Sequence, residues 1–524
     1  MLGRSSWLKS ESSLTTDHRN EKNVSPTQLQ AAPSDAVLLE TATVERAKGA
    51  APKGADLSRY VRQHLADIDA LPTYRPVIGC IIPAYNEAET IEAVLRSLLK
   101  QTRLPDQIHV IVNNTSDETF ALAAKFAGPR TAKKRRKGEQ ARQTTEVFVH
   151  DIGENPDKKV GALNYGFTQI PDADYLLGVD GDTTLAPDCV AKLEAEILSD
   201  TRIGGISAIY TIDDNGFRGL VAPLLIAGQR AQFAAFNMQN MLRGRNMAVL
   251  GGQCSIFSMK ALREVMVDNH QATPWVNDSE VEDSLLSLQI KSAGYLTKIS
   301  AQARASVGGM TTLRALDGQQ VKWNYGAIDL MWPGQRGDTR GQPFHPNLRL
   351  RWAENFGMAT NIFTRVMFML LLAAALSINA FVFSPWWLIP PAVAILLNLR
   401  IALSMKGRTW KDVVFAASGI GAELYMWLRA GHFIRAWVKF LSKVQTDNWA
   451  EQAKAERGSG NSHLVPLVVL GVSFVVLGWT WLQLPALIQS SILWLGWPLL
   501  YVVTIAQTIA MLAKLVRRQH GYRV

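Results

Sequence analysis

Four stretches in the last third of the chain carry either no charged residue or a single one near an end: 366–383, 386–405, 464–484 and 488–512. Each falls in the range of ~17–25 apolar residues that a helix needs to cross the hydrocarbon core of a bilayer. A central Arg or Lys would cost ~2.5–3.5 kcal/mol in such a helix, so their absence is informative. The pattern predicts four membrane spans, the second kinked at Pro390 and Pro391. The stretch 413–441 differs, because its apolar side is interrupted by Glu423, Arg429, His432, Arg435 and Lys439. It reads as a helix lying in the membrane interface. Lys406, Arg408, Lys411, Lys443, Lys454 and Arg457 fall between the second and third spans, and Arg517, Arg518 and Arg523 follow the fourth. The positive-inside rule places these loops, and the polar body before the first span, on the cytoplasmic side of a multi-pass protein of the cell membrane.

That body holds most of the charge. Of 524 residues 48% are hydrophobic and 19% charged, and the formal net charge is +10. An excess of cations suits a nucleic acid or a membrane surface, and the apolar third selects the membrane. Cys80, Cys189 and Cys254 lie too far apart for a zinc spacing or a disulfide framework, which fits reduced thiols in a cytosolic domain. Residues 2–14 lack the apolar core of a signal peptide, and 1–56 read as a disordered tail. Beyond it, 77–82 reads as a buried strand ended by Pro83. Asn86 and Glu89 resemble a capping box ahead of a helix with apolar Ile91, Val94, Leu95, Leu98 and Leu99. Strands at 108–112, 147–149 and 175–179 alternate with helices at 119–126 and 160–168. That alternation predicts a mostly parallel sheet covered on both faces, with ligands beyond the carboxyl ends of its strands, where Asn113, Asn114 and Asp180 fall. The basic run Lys133 to Lys137 reads as a solvated loop.

Three patterns carry chemistry. The apolar run Leu176 to Val179 delivers Asp180 and Asp182, one residue apart, into a turn. Hard carboxylate oxygens at a strand end suit Mg²⁺ or Mn²⁺ bridging a diphosphate. Glu280, Glu282 and Asp283 crowd a helix start, where the helix dipole favours acids but does not single out the Glu-Asp pair. Gln319, Lys322 and Trp323 combine an amide, a cation and an indole, groups able to grip a phosphate and a sugar face.

Taken in order, these patterns resemble the family-2 inverting glycosyltransferases, and within them the processive branch of chitin-oligosaccharide, hyaluronan, cellulose and poly-N-acetylglucosamine synthases. The resemblance covers about 77–323 and the membrane region. It implies an α/β, glycosyltransferase A-type, nucleotide-sugar-binding domain over 57–330 with a mostly parallel sheet. An interfacial connector over 331–365 and an α-helical membrane domain over 366–524 would follow. Pro83-Ala84-Tyr85-Asn86-Glu87 matches the first nucleotide-binding stretch, placing Tyr85 and Glu87 near the base, with Asn114 beside them. Lys159, in Lys-Val-Gly-Ala-Leu-Asn, would face the diphosphate together with Gln319 and Lys322, and Asp182 with Asp180 would hold the metal. Asp283 would be the catalytic base, with Glu282 a supporting carboxylate. Gly251, Gly252 and Trp323 would meet the acceptor. Two residues depart from the pattern: Asn114 stands for a carboxylate, and Lys322 for an arginine whose fork grips two oxygens at once. The implied partners are a nucleotide-sugar donor, a polysaccharide or lipid-linked acceptor and the bilayer, with no nucleic acid. The implied reaction extends a polysaccharide. A single addition to a lipid carrier, admitted by an amphipathic stretch 220–242 on the bilayer, is the alternative. A non-catalytic nucleotide sensor is a third, against which Asp180, Asp182 and Asp283 argue.

Overall fold

The computed structural model describes residues 75–132, 142–213, 219–277, 279, 281–333, 346–443, 448–458 and 464–524. The expected tail over 1–56, the basic run, Glu280 and part of the connector lie outside them. The first part runs β1 (Ile78–Ala84), α1 (Ile91–Leu98), β2 (Gln107–Val112), α2 (Thr119–Ala124), β3 (Gly128–Thr131), β4 (Thr144–Asp151), α3 (Lys158–Thr168) and β5 (Tyr175–Val179). Then come β6 (Thr184–Leu185), α4 (Cys189–Ile197), β7 (Ile203–Ile212), α5 (Val221–Leu242), β8 (Cys254–Ser258), α6 (Met259–Asp268), α7 (Glu282–Ser292), β9 (Leu296–Val307) and α8 (Leu313–Met331). The remaining helices are α9 (Arg349–Ser377), α10 (Ile389–Ser404), α11 (Trp410–Ser418), α12 (Ile420–Leu441), α13 (Asn448–Glu456), α14 (Val465–Gln483) and α15 (Ala486–Val516).

The nine strands form one sheet in the order β3-β4-β2-β1-β5-β8-β7-β9-β6. Its first half is the parallel array expected from alternating strands and helices: β4, β2, β1 and β5 pair in parallel. β8 then enters antiparallel to both β5 and β7, so the sheet as a whole is mixed. All seven residues of β1 are buried, as a parallel strand covered on both faces requires. β1 runs through Pro83 to Ala84 instead of stopping there. Its pairing with β5 has ended at Ile81, so the missing proline N–H breaks no ladder bond on that side. The expected capping box is corrected. Thr90, not Asn86, precedes α1, and Asn86 is a left-handed residue (φ 54°) whose side-chain oxygen accepts from Ser116 N at 2.9 Å. Asn tolerates that backbone better than most residues, so Asn86 turns the chain and does not cap it.

Helix α5 ties the sheet to the helices that follow. It packs on β7 and β9 and also on α10, α11 and α12. Its Ala, Phe and Met residues Phe233, Ala234, Met238 and Met241 are buried in protein, so this helix is an internal bridge. Arg230 on α5 makes a buried two-bond ion pair with Asp412 of α11 (2.8 and 2.9 Å) and donates to the carbonyls of Ile212 and Gly407. Asp412 also closes a capping box with Thr409 at the start of α11. Removing one partner of a buried pair strands the other charge, which typically costs ~3–5 kcal/mol. Arg230→Met is therefore expected to lower the thermal midpoint of the detergent-solubilised full chain sharply, and Arg230→Met with Asp412→Leu to recover part of the loss. An unchanged midpoint in the single variant would show that the pair does not fasten the two parts.

Among the described residues three helical segments are long and apolar enough to cross a membrane: Arg349–Ser377, Pro385–Ser404 and Ala486–Val516. The fourth expected stretch forms α14, 19 uncharged residues. Two expectations change. Pro390 lies in the first turn of α10, where its missing N–H is needed by nothing, so the two prolines start a helix and do not kink one. The stretch 413–441 is two helices broken at Gly419 (φ 67°), where Ile395 would also crowd any Cβ. α8 packs against α12, and there buried Asp317 pairs with Arg435 and lies 3.7 Å from His432 Nε2.

Candidate active site

The carboxyl ends of β1 and β5, the turn before β8 and the start of α7 meet at one point. Gly252 marks it. A Cβ there would stand 2.8 Å from Lys159 Nζ, 3.0 Å from Asp283 Oδ2 and 3.2 Å from Asp180 Oδ1. Only glycine leaves room for these three charged groups to converge. Lys159, near the start of α3, reaches Asp180 Oδ1 at 2.7 Å and Glu282 Oε1 at 3.6 Å. Burial opposes its charge, but Asp180, Glu282 and Asp283 together hold its ammonium well above the usual range. Asp283 Oδ2 accepts from Gly252 N at 2.8 Å, which fixes the carboxylate against the glycine turn. Burial, and then the adjacent Glu282 carboxylate, raise the Asp283 carboxyl to about 7.

Asp182 and Glu87 flank this point. Asp182 accepts from the Thr183 hydroxyl at 3.1 Å. Glu87 accepts from the Thr90 hydroxyl at 2.6 Å, and that hydroxyl also lies 2.9 Å from the Gly181 carbonyl. A Cβ on Gly181 would come within 2.7 Å of Glu87 Cγ. Glu87 therefore stands beside the Asp-Gly-Asp turn, and the carboxylates crowd one another. Burial, then Asp182, raise Glu87 to about 8; burial, then Asp180, raise Asp182 to about 6. Lys159 is the cation the described residues pair with Asp180, leaving a net excess of negative charge.

The other expected residues are spread around this centre. Asn114 caps the end of β2 in a left-handed conformation (φ 55°). Its amide is spent on the loop 153–155, donating to Asn155 O at 3.0 Å and accepting from Asn155 N at 2.7 Å. Tyr85 is exposed, and its hydroxyl accepts from Arg457 at 2.7 Å. Gln319, Lys322 and Trp323 share α8; Lys322 is buried, and Trp323 packs edge to face on Phe233 at 6.3 Å between ring centroids. Gly251 accepts from the Ser255 hydroxyl at 2.6 Å and begins the turn that Gly252 completes.

Three residues at the site were not among the expected ones. Arg457, just past α13, reaches Tyr85 from 372 residues away in sequence. Arg351 on α9 donates to the Ser284 hydroxyl at 2.9 Å, one residue past Asp283. Tyr210 on β7 brings its hydroxyl to 3.6 Å from where a Cβ on Gly251 would stand, and burial, then the Asp283 carboxylate, raise its phenol. No local pattern marks any of them. Only the antiparallel entry of β8 and the return of later helices to the sheet bring them in.

Two family models match this chain. "Glycosyl transferase family 2" covers residues 80–266 and "Glycosyl transferase family group 2" covers 175–402. Together they span the sheet, the carboxylate site and the first membrane-type helices. The chain is a glycosyltransferase of family 2. It is 22% identical over 254 residues to a poly-β-1,6-N-acetyl-D-glucosamine synthase of Staphylococcus aureus (strain COL), covering 48% of this chain and 55% of that one. A synthase of the same name from Staphylococcus epidermidis is 21% identical over 264 residues, 49% and 57% of the two chains. The chain thus spans about half the length of the curated relatives it matches. Among solved structures, the mannosyltransferase PcManGT from Pyrobaculum calidifontis, in complex with GDP-Man and Mn²⁺, aligns with 75% of this chain and 96% of its own at 17% identity and a TM-score of 0.44.

Proposed function

We propose that this glycosyltransferase moves a sugar from a nucleoside-diphosphate donor, a UDP-sugar, onto the end of a growing polysaccharide. Its catalytic domain then faces the cytoplasm beneath a multi-pass membrane region of four spans. The observation that carries the reading is the convergence of Lys159, Asp180 and Asp283 around Gly252. A carboxylate suited to act as base and a cation suited to a diphosphate thus stand around a space too small for any side chain at position 252.

In this reading Asp283 takes the proton from an acceptor hydroxyl as its oxygen attacks the anomeric carbon. The bond to the diphosphate breaks in the same step, and the configuration inverts. Lys159 and Lys322 bring positive charge to the departing diphosphate. The excess of carboxylates at Glu87, Asp180 and Asp182 fits a bound cation. Among the described residues no three ligating side chains form a ready cage. That suits a divalent ion held by one or two carboxylates together with substrate phosphates. Asp182 with Asp180 would hold Mg²⁺ or Mn²⁺, whose chemistry is to neutralise the leaving group. Tyr85 and Asn114 flank the base, Asn114 through the loop it pins; Gln319 supports the diphosphate, and Gly251, Gly252 and Trp323 receive the acceptor.

The test is to incubate membranes carrying the full chain with labelled UDP-sugars and GDP-mannose and to size the products. A ladder of oligomers supports the reading. A single labelled lipid would replace it with one addition to a lipid carrier, and no transfer from any donor would overturn it. Two substitutions probe α8. Lys322→Arg is expected to keep or raise activity, because arginine offers a diphosphate two parallel donors; a loss of ~10-fold or more would indicate a pocket shaped to lysine. Trp323→Ala is expected to reduce polymer ~10²-fold while donor hydrolysis by water persists, since water needs no stacking face to be placed. Equal losses of polymer and nucleotide release would put the indole at the donor instead.

A further inference from the structure

Two serines fasten the first two turns of α7, the helix that carries Asp283. Ser287, one turn past Asp283, has a fully buried hydroxyl that accepts from Leu250 N at 2.8 Å and donates to the Asp283 carbonyl at 2.5 Å. It joins the backbone of Asp283 to the chain leading into the glycine turn, where Gly252 N meets Asp283 Oδ2. Ser284 is fastened from elsewhere. Its hydroxyl accepts from Arg351 Nη2 at 2.9 Å, across 67 residues. Arg351 stands in the first turn of α9, the first of the three segments long and apolar enough to cross a membrane. Just before it, Leu348 is buried in one cluster with Leu285 and Leu288 of α7. Apolar packing accounts for Leu348 and not for Arg351. The guanidinium is largely buried, its Nη1 lies 3.3 Å from Glu354, and Glu354 lies 4.0 Å from Arg243 at the end of α5. Its Nε has no hydrogen-bond partner among the described residues. Burying a cation is costly, and apolar residues of similar volume often hold such a junction at least as firmly. What a guanidinium adds is direction. Its donors lie in a rigid plane, so the bond to Ser284 sets α7 at one distance and angle from α9.

We propose that Arg351 is a positioning residue for the base: acting through Ser284, it holds α7 where Asp283 meets Gly252 N, and so ties the catalytic carboxylate to the foot of α9. The inference rests on the transferase reading above, with Asp283 as base. Ser287 and Asp283 bind the same helix to the same turn, so a small rotation of α7 loosens two bonds at once and swings the carboxylate away from an acceptor hydroxyl. Lys159 keeps its 2.7 Å contact with Asp180, beyond the end of β5, so the diphosphate side does not follow α7.

The test compares three variants of the detergent-solubilised full chain. Arg351→Met keeps the length and removes the charge, Arg351→Lys keeps a cation that can donate to the hydroxyl, and Ser284→Ala removes the acceptor. Arg351→Met and Ser284→Ala are each expected to lower kcat for elongation ~10- to 10²-fold, the range for a misplaced reacting group, with donor KM and UDP affinity unchanged. Arg351→Lys is expected to recover most of that loss. The double variant Arg351→Met with Ser284→Ala is expected to lose no more than either single one, since both remove the same bond. Hydrogen exchange reads the placement without turnover. In Arg351→Met the amides of Leu250 and Gly252 are expected to exchange ~10-fold faster or more, while those of β1 keep the wild-type rate. Wild-type kcat in Arg351→Met, losses that multiply in the double variant, or an equal loss of UDP affinity would overturn the proposal. So would a uniform rise in exchange across the sheet, the mark of a fold that is merely less stable. Should the wild-type chain transfer no sugar, faster exchange confined to the turn at Leu250 and Gly252 would still support the pin and leave the failure with the transferase reading alone. Unchanged exchange there would overturn the pin as well.

Discussion

Asp283→Asn is expected to reduce sugar transfer by ~10²–10⁴-fold, the usual effect of removing a general base, while nucleotide binding stays near that of the wild type. The substitution is informative because of how the carboxylate is held. Asp283 Oδ2 accepts from Gly252 N, and an asparagine oxygen can accept the same bond, so the glycine turn keeps its anchor. What disappears is basicity. Lys159 keeps its 2.7 Å contact with Asp180, so the diphosphate side should be little disturbed. Single-turnover transfer and equilibrium binding of UDP, measured on the same preparation, read the two sides apart. Because burial and Glu282 raise the Asp283 carboxyl, the wild-type kcat/KM should fall as pH drops through a point above the ordinary carboxylate range, as the base becomes protonated. Near-normal transfer by Asp283→Asn would remove this residue from the mechanism. Loss of UDP binding along with transfer would assign it to the donor.

Much of this site could be read from the sequence, because the residues that matter most sit where local rules place them. A short apolar strand ending in Asp180-Gly181-Asp182 fixes its own register and delivers both carboxylates to the sheet's binding edge. Lys159 falls in the first turn of α3, which starts two residues before the expected 160, and Asp283 falls in the first turn of α7, where acids crowding a helix start were expected. Other features were illegible for a physical reason. Asn114 has the same sequence signal whether its amide faces a nucleobase or pins Asn155, and the choice depends on a loop more than 40 residues away. Arg457 and Arg351 reach the site from chain segments that sequence patterning reads only as membrane flanks. The burial of Phe233, Ala234 and Met238 on α5 could not be told from membrane contact, because an apolar face is the same whether lipid or protein covers it. The break at Gly419 was visible only as a glycine in an apolar run, and the positive φ that makes it obligatory is a tertiary fact.

Excess chelator is expected to remove at least ~10²-fold of the activity, with Mg²⁺ or Mn²⁺ restoring it and Asp182→Ala matching the chelated state in the presence of metal. The size follows from the several kcal/mol that a bound cation contributes to a developing diphosphate charge, at ~1.4 kcal/mol for each factor of ten. Charge at this site calls for a cation. Asp180 and Asp182 share one turn with Glu87 against it; Glu87, raised to about 8, holds its proton near neutrality, and a donor adds the negative charge of its diphosphate to that of the two aspartates. Against these Lys159 is already engaged by Asp180 and Glu282. A second lysine, Lys322, is a point charge and not a bidentate fork, so it cannot grip two phosphate oxygens in the way an arginine would. Asp182 is the better residue to change, because Asp180 also holds Lys159, and its loss would confuse a metal effect with the release of that cation. Asp182→Ala removes one carboxylate and leaves the Lys159 pair intact. Full transfer in excess chelator would mean that Lys159 and Lys322 meet the diphosphate unaided, and a metal-responsive Asp182→Ala would move the cation to Asp180 and Glu87.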